Sequence, residues 1–267
     1  MKKKFIIQLS NDIGNQMFMY ASALGLSQKM NRELFIDNKT CFKNNHQYAL
    51  DLFSISAKTS SDLVKFSGKI GYIRMKIDKI IDHFLKEKSF FSEIKNEDKS
   101  TYYSEELFNN SYGHNLFVNG HFESEKYFVK ISDQIKDEFK FINYSSIKND
   151  PLFADLNNNE SVSICVRQNR FSEISGKLTS NEKIKSDIFT KEQISYIEKA
   201  IEIMKSKLTK PKFYLWSNDL TNLNNFFPSN KFIHVKNKSK DHDLLLMTQA
   251  KHYITIPSPF NWWGAWL

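Results

Sequence analysis

The sequence predicts an α/β protein with parallel sheets, organised in two halves, and three observations predict it. The N-terminal stretch reads strand, glycine-containing turn, helix, strand. The C-terminal half alternates strand and helix from Ser161 onward, the pattern of a doubly wound nucleotide-binding fold. Polar residues gather where strands of that half end, at Arg167–Arg170, Ser217–Asp219 and Ser258–Asn261, which is the edge where open α/β sheets hold ligands. A chain of 267 residues gives each half a core of its own. The boundary is expected at 150/151, giving domains 1–150 and 151–267.

Composition narrows the class. Hydrophobic residues make up 40% and charged residues 25%, ordinary for a globular chain, while the aromatic share of 14% is high. The formal net charge of +8 suits nucleic acid, an anionic membrane or a phosphorylated ligand alike. No nucleic-acid recognition motif accompanies it, so nucleic acid is set aside as a partner. The two cysteines, Cys41 and Cys165, form neither a disulfide framework nor a metal cluster, and a cytoplasmic location is expected. The apolar run after the basic N-terminus, Phe5–Leu9, is too short for a signal peptide, and no run approaches a membrane span.

Taken in order, Phe5–Leu9 is a buried strand and Ser10–Gly14 a turn. Asn15–Met30 is a helix with apolar residues at Met17, Phe18, Ala21, Leu24 and Met30, and Leu34–Ile36 is the next strand. Leu63–Leu85 reads as a basic helix. Its stripe of Ile70, Ile73, Ile77, Ile80, Ile81 and Phe84 is flanked by Lys69, Arg74, Lys76, Lys79 and Lys86. Two readings stand: an ordinary amphipathic helix with a solvated basic face, or peripheral docking on an anionic membrane surface. Phe117–Gly120 is a strand end, and Glu123 after it is either an exposed functional acid or a first-turn helix residue.

Asn143–Ser161, rich in Asn, Ser and Asp and containing Pro151, reads as a linker. Ser161–Val166 is a strand whose carboxyl end carries Arg167 and Arg170; Arg there is either a surface charge or a bidentate phosphate ligand. Phe171–Lys185 reads as a loop. Thr190–Leu208 is a helix capped by Thr190, with Gln193 three residues on. Phe213–Trp216 and Lys231–Val235 are strands, with a helix expected between them. Asp241 and Asp243 open an apolar helix, and Tyr253–Ile256 is a short buried strand. Ser258 then stands as N-cap with Pro259 at the first helical position, so the strand runs directly into a helix N-terminus, an anion site if it is more than a cap.

That last stretch, DLLLMTQAKHYITIPSPFNWWGAW from Asp243 to Trp266, resembles the C-terminal signature of the bacterial α-1,2-fucosyltransferases, glycosyltransferase family 11. The signature has the form D-L-x-L-M-x-x-C-K-H-x-I-x-x-x-S-T-F-S-W-W-G-A. Gly14, Asn15, Gln16, Met17, Phe18, Tyr20 and Ala21 resemble the family opening G-G-L-G-N-Q-M-F-Q-Y-A, with Asn11 and Asp12 in place of its first two glycines. Gly120 and Ser124–Phe128 resemble G-Y-x-Q-S-E-K-Y-F, with Glu123 where Gln is usual. The motif H-x-R-R-x-D is matched only at Arg167: Cys165 replaces its His, Gln168 its second Arg and Arg170 its Asp.

The resemblance implies a GT-B-like fold of two Rossmann-like domains with parallel sheets facing a cleft, an acceptor-side domain and a GDP-sugar domain. It implies metal-independent, inverting transfer of L-fucose from GDP-L-fucose to the 2-hydroxyl of a galactose-terminated oligosaccharide or lipid-linked glycan, with no cofactor. Arg167 would stabilise the departing diphosphate together with the helix at Ser258, Pro259 and Phe260, and Arg170 could restore lost positive charge. Gly14, Asn15, Gln16, Ser217 and Asp219 fall on donor-side motifs. Asp243 is the first candidate for guanine and Asp219 the second, and Asp12 or Glu123 is the candidate for the base. The altered H-x-R-R-x-D motif leaves two alternatives: transfer of another GDP-6-deoxyhexose, or GDP-sugar binding without catalysis. The family usually continues beyond the position of Leu267.

Overall fold

The computed structural model describes residues 2–42, 46–59, 66, 68–93, 102–171, 180–236 and 238–267. The chain divides into two compact units, Met1–Ile142 and Asn143–Leu267.

The first unit is built on β1 (Lys4–Gln8), α1 (Ile13–Lys29), β2 (Glu33–Asp37), β3 (Lys58–Thr59), α2 (Gly68–Asp82), β4 (Lys88–Ser92), β5 (Tyr112–Asn119) and α3 (Ser132–Glu138). Its sheet is parallel throughout, in the order β3-β2-β1-β5-β4. Central β1 buries Phe5, Ile6 and Ile7 completely, as a strand covered on both faces must. Helix α1 is buried nearly all round, which its apolar and small residues permit. Arg32, buried between α1 and β2, donates to the carbonyls of Lys4, Tyr112, Gly113 and His114 and so ties the amino ends of β1 and β5 together.

Helix α2 departs from the plainer reading of its sequence. The residues it buries are Gly71, Met75 and Asp82, while its isoleucine stripe lies outside. Met75 packs with Ile6, Phe35, Phe66 and Phe117. Position 71 has to be glycine, because a Cβ there would stand 2.3 Å from the backbone carbon of Phe66.

The second unit comprises α4 (Tyr144–Ile147), α5 (Pro151–Asn158), β6 (Glu160–Val166), α6 (Ser180–Lys207), β7 (Pro211–Ser217), β8 (Phe232–His234), α7 (Lys240–Met247), β9 (His252–Ile254) and α8 (Pro259–Trp266). Its four strands are also parallel, in the order β8-β7-β6-β9.

Four expectations in this unit need correction. The expected linker is helical: Asp150 accepts the Leu152 N–H, and Pro151 opens α5 rather than breaking a loop. Helices α4 and α5 pack on α7, so the unit begins after Ile142 rather than at 150/151. Helix α6 starts at Ser180, and Thr190 lies inside it, its hydroxyl donating back to the Ser186 carbonyl at 2.9 Å instead of capping. Between β7 and β8 there is only a 3-10 turn at Leu223–Asn225, following the left-handed Asn222 (φ 63°).

In the second sheet the strand order reverses between β6 and β9, while in the first the chain lays β2 and β3 on one side of β1 and then crosses to place β4 and β5 on the other. A parallel sheet opens a crevice beyond the carboxyl ends of its strands at such a reversal.

Candidate functional site

The carboxyl edge of the first sheet carries a compact polar cluster across the junction of β1 and β5. The β1–α1 turn holds Asn11 in the left-handed region at φ 61°, which explains why an asparagine can stand where a glycine would otherwise serve. Asp12 caps α1, its Oδ1 accepting the Ile13 N–H at 3.0 Å. Gln16 is fully buried; its amide donates to the carbonyls of Asn11 and Gln47 and accepts the Ala49 N–H. It therefore holds the turn in place from below. Gly14 is buried in the first turn of α1, while Asn15 reaches across to Glu123, Nδ2 to Oε1 at 2.7 Å.

From the β5 side come His121 and Glu123. His121 Nε2 lies 2.7 Å from Asn11 Nδ2, and its Nδ1 lies 3.4 Å from Glu123 Oε1. The tautomer in which Nδ1–H faces Glu123 and Nε2 accepts from Asn11 satisfies both contacts. The turn that presents this pair is unusual. Gly120 has φ 156°, Phe122 has φ 51° although it is a buried aromatic, and a Cβ at Gly120 would lie 2.4 Å from the Glu93 Cβ. The Glu93 carboxylate locks the turn by accepting the N–H groups of His121 (2.7 Å) and Phe122 (3.0 Å). Burial pushes the Glu93 carboxyl up, against those two hydrogen bonds. Backbone strain held by a half-buried carboxylate is characteristic of a functional edge. His121 and Glu93 went unremarked in the sequence; a Gly-His-Phe-Glu run after a strand was the signal for the first, and nothing local announced the second.

The carboxyl edge of the second sheet is organised around Arg167, the first residue after central β6. Its N–H donates to Gln193 Oε1 and its C=O accepts from Gln193 Nε2, both at 3.0 Å. Gln193, buried on α6, thus fixes the backbone from which the half-buried Arg167 side chain projects. Its position among Ile194, Ile197 and Ile201 on the buried face of α6 was the clue to this role, rather than a capping one.

Gln168 joins the neighbouring strand end. Its N–H donates to Asn218 Oδ1 at 2.9 Å, its carbonyl accepts from Asn218 Nδ2 at 3.0 Å, and its amide donates to the carbonyls of Asp219 (2.6 Å) and Thr221 (2.9 Å). Asn169, left-handed at φ 58°, turns the chain there and brings the half-buried Arg170 to the same edge. Ser217 and Asp219 close a local turn, Ser217 Oγ donating to the Asp219 carbonyl at 2.6 Å. The contact with Thr221, whose N–H it accepts at 2.8 Å, holds the Asp219 carboxyl below the usual range.

On the other side of the β6/β9 reversal the chain passes from β9 through Ser258 into α8, with Pro259 at its first position. Ser258 occupies the N-cap position, but its side chain makes no capping hydrogen bond, contrary to the sequence reading. Phe260 follows in the first turn, half-buried. The paired tryptophans anchor the helix: Trp263 is fully buried, with Trp262 edge-on at 4.9 Å and Trp266 at 5.3 Å. Gly264 lets α7 approach, since a Cβ there would meet Met247 Sδ at 2.4 Å. At the start of α7, Asp243 Oδ1 accepts the Lys238 N–H at 3.1 Å, and burial pushes its carboxyl up.

The structure therefore places Asp12, Gly14, Asn15, Gln16 and Glu123 at one edge of the first unit. Arg167, Arg170, Ser217 and Asp219 share the β6/β7 edge of the second, with Ser258, Pro259 and Phe260 across the strand reversal and Asp243 at the start of α7. Among the described residues no three His, Cys, Asp or Glu side chains converge as metal ligands.

Comparison with known proteins accords with this architecture. The family model described as Glycosyl transferase family 11 matches residues 1–267. An α-1,2-colitosyltransferase of Escherichia coli is 26% identical over 271 residues, covering 98% of this chain and 87% of that protein. An O-antigen biosynthesis glycosyltransferase, WbnK, also of Escherichia coli, is 25% identical, covering 97% and 88%. The crystal structure of NodZ α-1,6-fucosyltransferase soaked with GDP-fucose matches at a TM-score of 0.57 and 14% identity, covering 100% of this chain and 93% of that one. The fold is thus GT-B-like, and with the family model matching the whole length, this chain belongs to glycosyltransferase family 11.

Proposed function

We propose that this transferase moves L-fucose from GDP-β-L-fucose to the 2-hydroxyl of a β-galactoside, with inversion and without a metal, in bacterial surface-glycan synthesis. The second unit takes the donor and the first the acceptor. The observation that carries this is the flanking of the β6/β9 reversal by Arg167, its backbone clamped by Gln193, and by the N-terminus of α8. A guanidinium and a helix N-terminus on either side of one crevice are what a nucleoside diphosphate leaving group needs.

In the reaction the acceptor oxygen forms a bond to the anomeric carbon as the bond to the β-phosphate oxygen breaks, and GDP departs with the added negative charge. Arg167 and the α8 N-terminus stabilise that charge, and Arg170 adds to the positive potential of the edge. The acceptor proton goes to Glu123. Asn15 and His121 orient this carboxylate, and the turn that carries it is held by Glu93. Asp12 serves the site indirectly, as the cap that sets the β1–α1 turn. Asp243 is the carboxylate for the guanine edge, with Lys238 fixing its orientation.

A second reading of the donor has its own support. The relative named as a colitosyltransferase is 26% identical over nearly the whole chain. Colitose is L-fucose without its 3-hydroxyl, so the same anomeric chemistry and the same GDP site would serve it.

The deciding experiment is GDP release with lactose as acceptor, using GDP-L-fucose and GDP-colitose, for the wild type and Arg167→Ala. Turnover that falls about 10²–10³-fold in the variant supports the phosphate role of Arg167, and the ratio between donors assigns the sugar. GDP binding without turnover across donors and galactosides would make this a GDP-sugar-binding protein and overturn the proposal.

A further inference from the structure

Helix α2 turns its apolar stripe away from the core. Ile70, Ile73, Ile77, Ile80 and Ile81 lie within an arc of about 100° at 100° per residue, and exposures of 86%, 58%, 52%, 65% and 52% leave all five open. Phe84 and Leu85 continue the stripe beyond the helix end, at 82% and 47%. This orientation is fixed by the opposite face. Gly71 sits against the Phe66 backbone, Met75 is locked into an aromatic cluster, and the buried Asp82 carboxylate accepts the Ser89 and Phe90 N–H groups. No rotation about the helix axis could hide the isoleucines without breaking all three.

The polar surroundings are predominantly basic. Between positions 69 and 86 there are five basic residues, Lys69, Arg74, Lys76, Lys79 and Lys86, and two acidic ones, Asp78 and the buried Asp82. Lys69 and Lys76 border the stripe on one side and Arg74 on the other. An apolar stripe between basic fringes on a 15-residue helix is the pattern of a segment lying in a membrane interface.

We propose that α2 docks this protein on an anionic bilayer surface, with the isoleucines and Phe84 entering the acyl boundary and the flanking Lys and Arg meeting lipid phosphates. Charge complementarity selects the bilayer over a second copy of the chain. Two α2 stripes packed together would bring like-charged fringes into apposition, whereas an anionic surface neutralises them. The inference does not rest on the proposed transfer reaction, because it needs neither donor nor acceptor.

The test is co-sedimentation of the full chain with vesicles of phosphatidylcholine alone and of phosphatidylcholine with phosphatidylglycerol. The wild type is expected to pellet with the anionic vesicles, less so as salt rises. Ile73→Glu/Ile77→Glu should lose at least tenfold in partitioning, and Lys69→Gln/Lys76→Gln roughly twentyfold, at about fivefold per charge. All these side chains are exposed, so circular dichroism and GDP binding should stay unchanged. Wild type that remains in the supernatant with anionic vesicles would overturn the proposal. Pelleting that ignores the isoleucine substitutions would do so too. A dimer in sedimentation velocity that Ile73→Glu/Ile77→Glu dissolves, without vesicle binding, would give the stripe to a second copy instead.

Discussion

Asp150 offers the most direct test of how the second unit holds α7. Its side chain is only 8% exposed and binds three groups: the Leu152 N–H at 2.9 Å, Lys238 Nζ at 2.5 Å and His242 Nε2 at 2.7 Å. It therefore caps α5 and ties that cap to the start of α7, where Asp243 stands. Burial alone would raise its carboxyl; Lys238, the Leu152 N–H and His242 outweigh it and bring the value from 3.8 down to about 2. At 1.36 kcal/mol per unit that displacement corresponds to roughly 2 kcal/mol. Lys238 is 58% exposed and screened by solvent, so about 1–2 kcal/mol survives. Losing the cap adds about 1 kcal/mol. Asp150→Ala should thus destabilise the unit by about 2–3 kcal/mol at pH 7.

The pH dependence has a definite sign. The folded value lies below the unfolded one, so the charge-dependent stabilisation is complete above the unfolded value of 3.8 and is lost as pH falls toward about 2. Urea unfolding followed by tryptophan fluorescence reads this unit alone, because all four tryptophans (Trp216, Trp262, Trp263 and Trp266) belong to it. The gap between wild type and Asp150→Ala should shrink to roughly 1 kcal/mol near pH 2, the cap contribution. A variant as stable as wild type at pH 7, or a gap that stays constant down to pH 2, would refute the reasoning.

The other predictions concern the two strand edges. Gly120→Ala should cost the first unit about 2 kcal/mol or more, because a side chain there meets Glu93 Cβ at 2.4 Å at a φ of 156°; amide exchange on β5 that matches wild type would contradict this. Glu123→Gln should lower kcat by about 10²-fold and flatten the acidic limb of the pH–rate profile, and an unchanged profile removes Glu123 as the base. Gln193→Leu leaves the Arg167 N–H and C=O without their partner, so a stability loss of about 2 kcal/mol should come with a fall in GDP-release rate of at least tenfold. Stability loss with wild-type turnover would show that Gln193 does not position Arg167. Trp263→Ala should destabilise the second unit by about 3–5 kcal/mol in urea, since the ring is fully buried.

The buried parallel strands were legible because short runs rich in β-branched or aromatic residues and bounded by polar ones have few alternatives: β1, β2, β6 and β7 lie where Phe5–Leu9, Leu34–Ile36, Ser161–Val166 and Phe213–Trp216 suggested, and β9 overlaps Tyr253–Ile256 at Tyr253 and Ile254. What escaped was structure set by long-range partners. Asn143–Ser161 has loop composition, yet it folds as two short helices because Asp150 finds Lys238 and His242 far along the chain. Thr190 looks like a cap, but α6 has an earlier start at Ser180. The face that α2 buries was set by Gly71 and Asp82, neither of which a hydrophobic period can detect. At the two sheet edges, Arg167, Glu123 and Ser258 were named in sequence, whereas Gln193 and Glu93 act through backbone contacts that no motif records.

The altered H-x-R-R-x-D motif has a physical explanation. Gln168, standing where a second Arg is usual, gives its amide to the carbonyls of Asp219 and Thr221 and its backbone to Asn218. These are all groups on the neighbouring strand end, so this position can serve the edge by binding β6 to β7 rather than by carrying charge. A glutamine reaches two carbonyls with one amide, and gives up the positive charge and three of the five N–H donors of an arginine. Asn169 then adopts φ 58°, which asparagine tolerates better than most residues, and the turn it makes returns Arg170 to the edge. The motif has thus kept Arg167 at the end of central β6, converted its neighbour into a clamp, and placed a second guanidinium two residues beyond that clamp. Arg170→Ala should accordingly weaken GDP binding without loosening the β6–β7 edge, whereas Gln168→Ala should do the reverse. Equal effects of the two on binding and on stability would show that charge and clamp have not been divided between these positions.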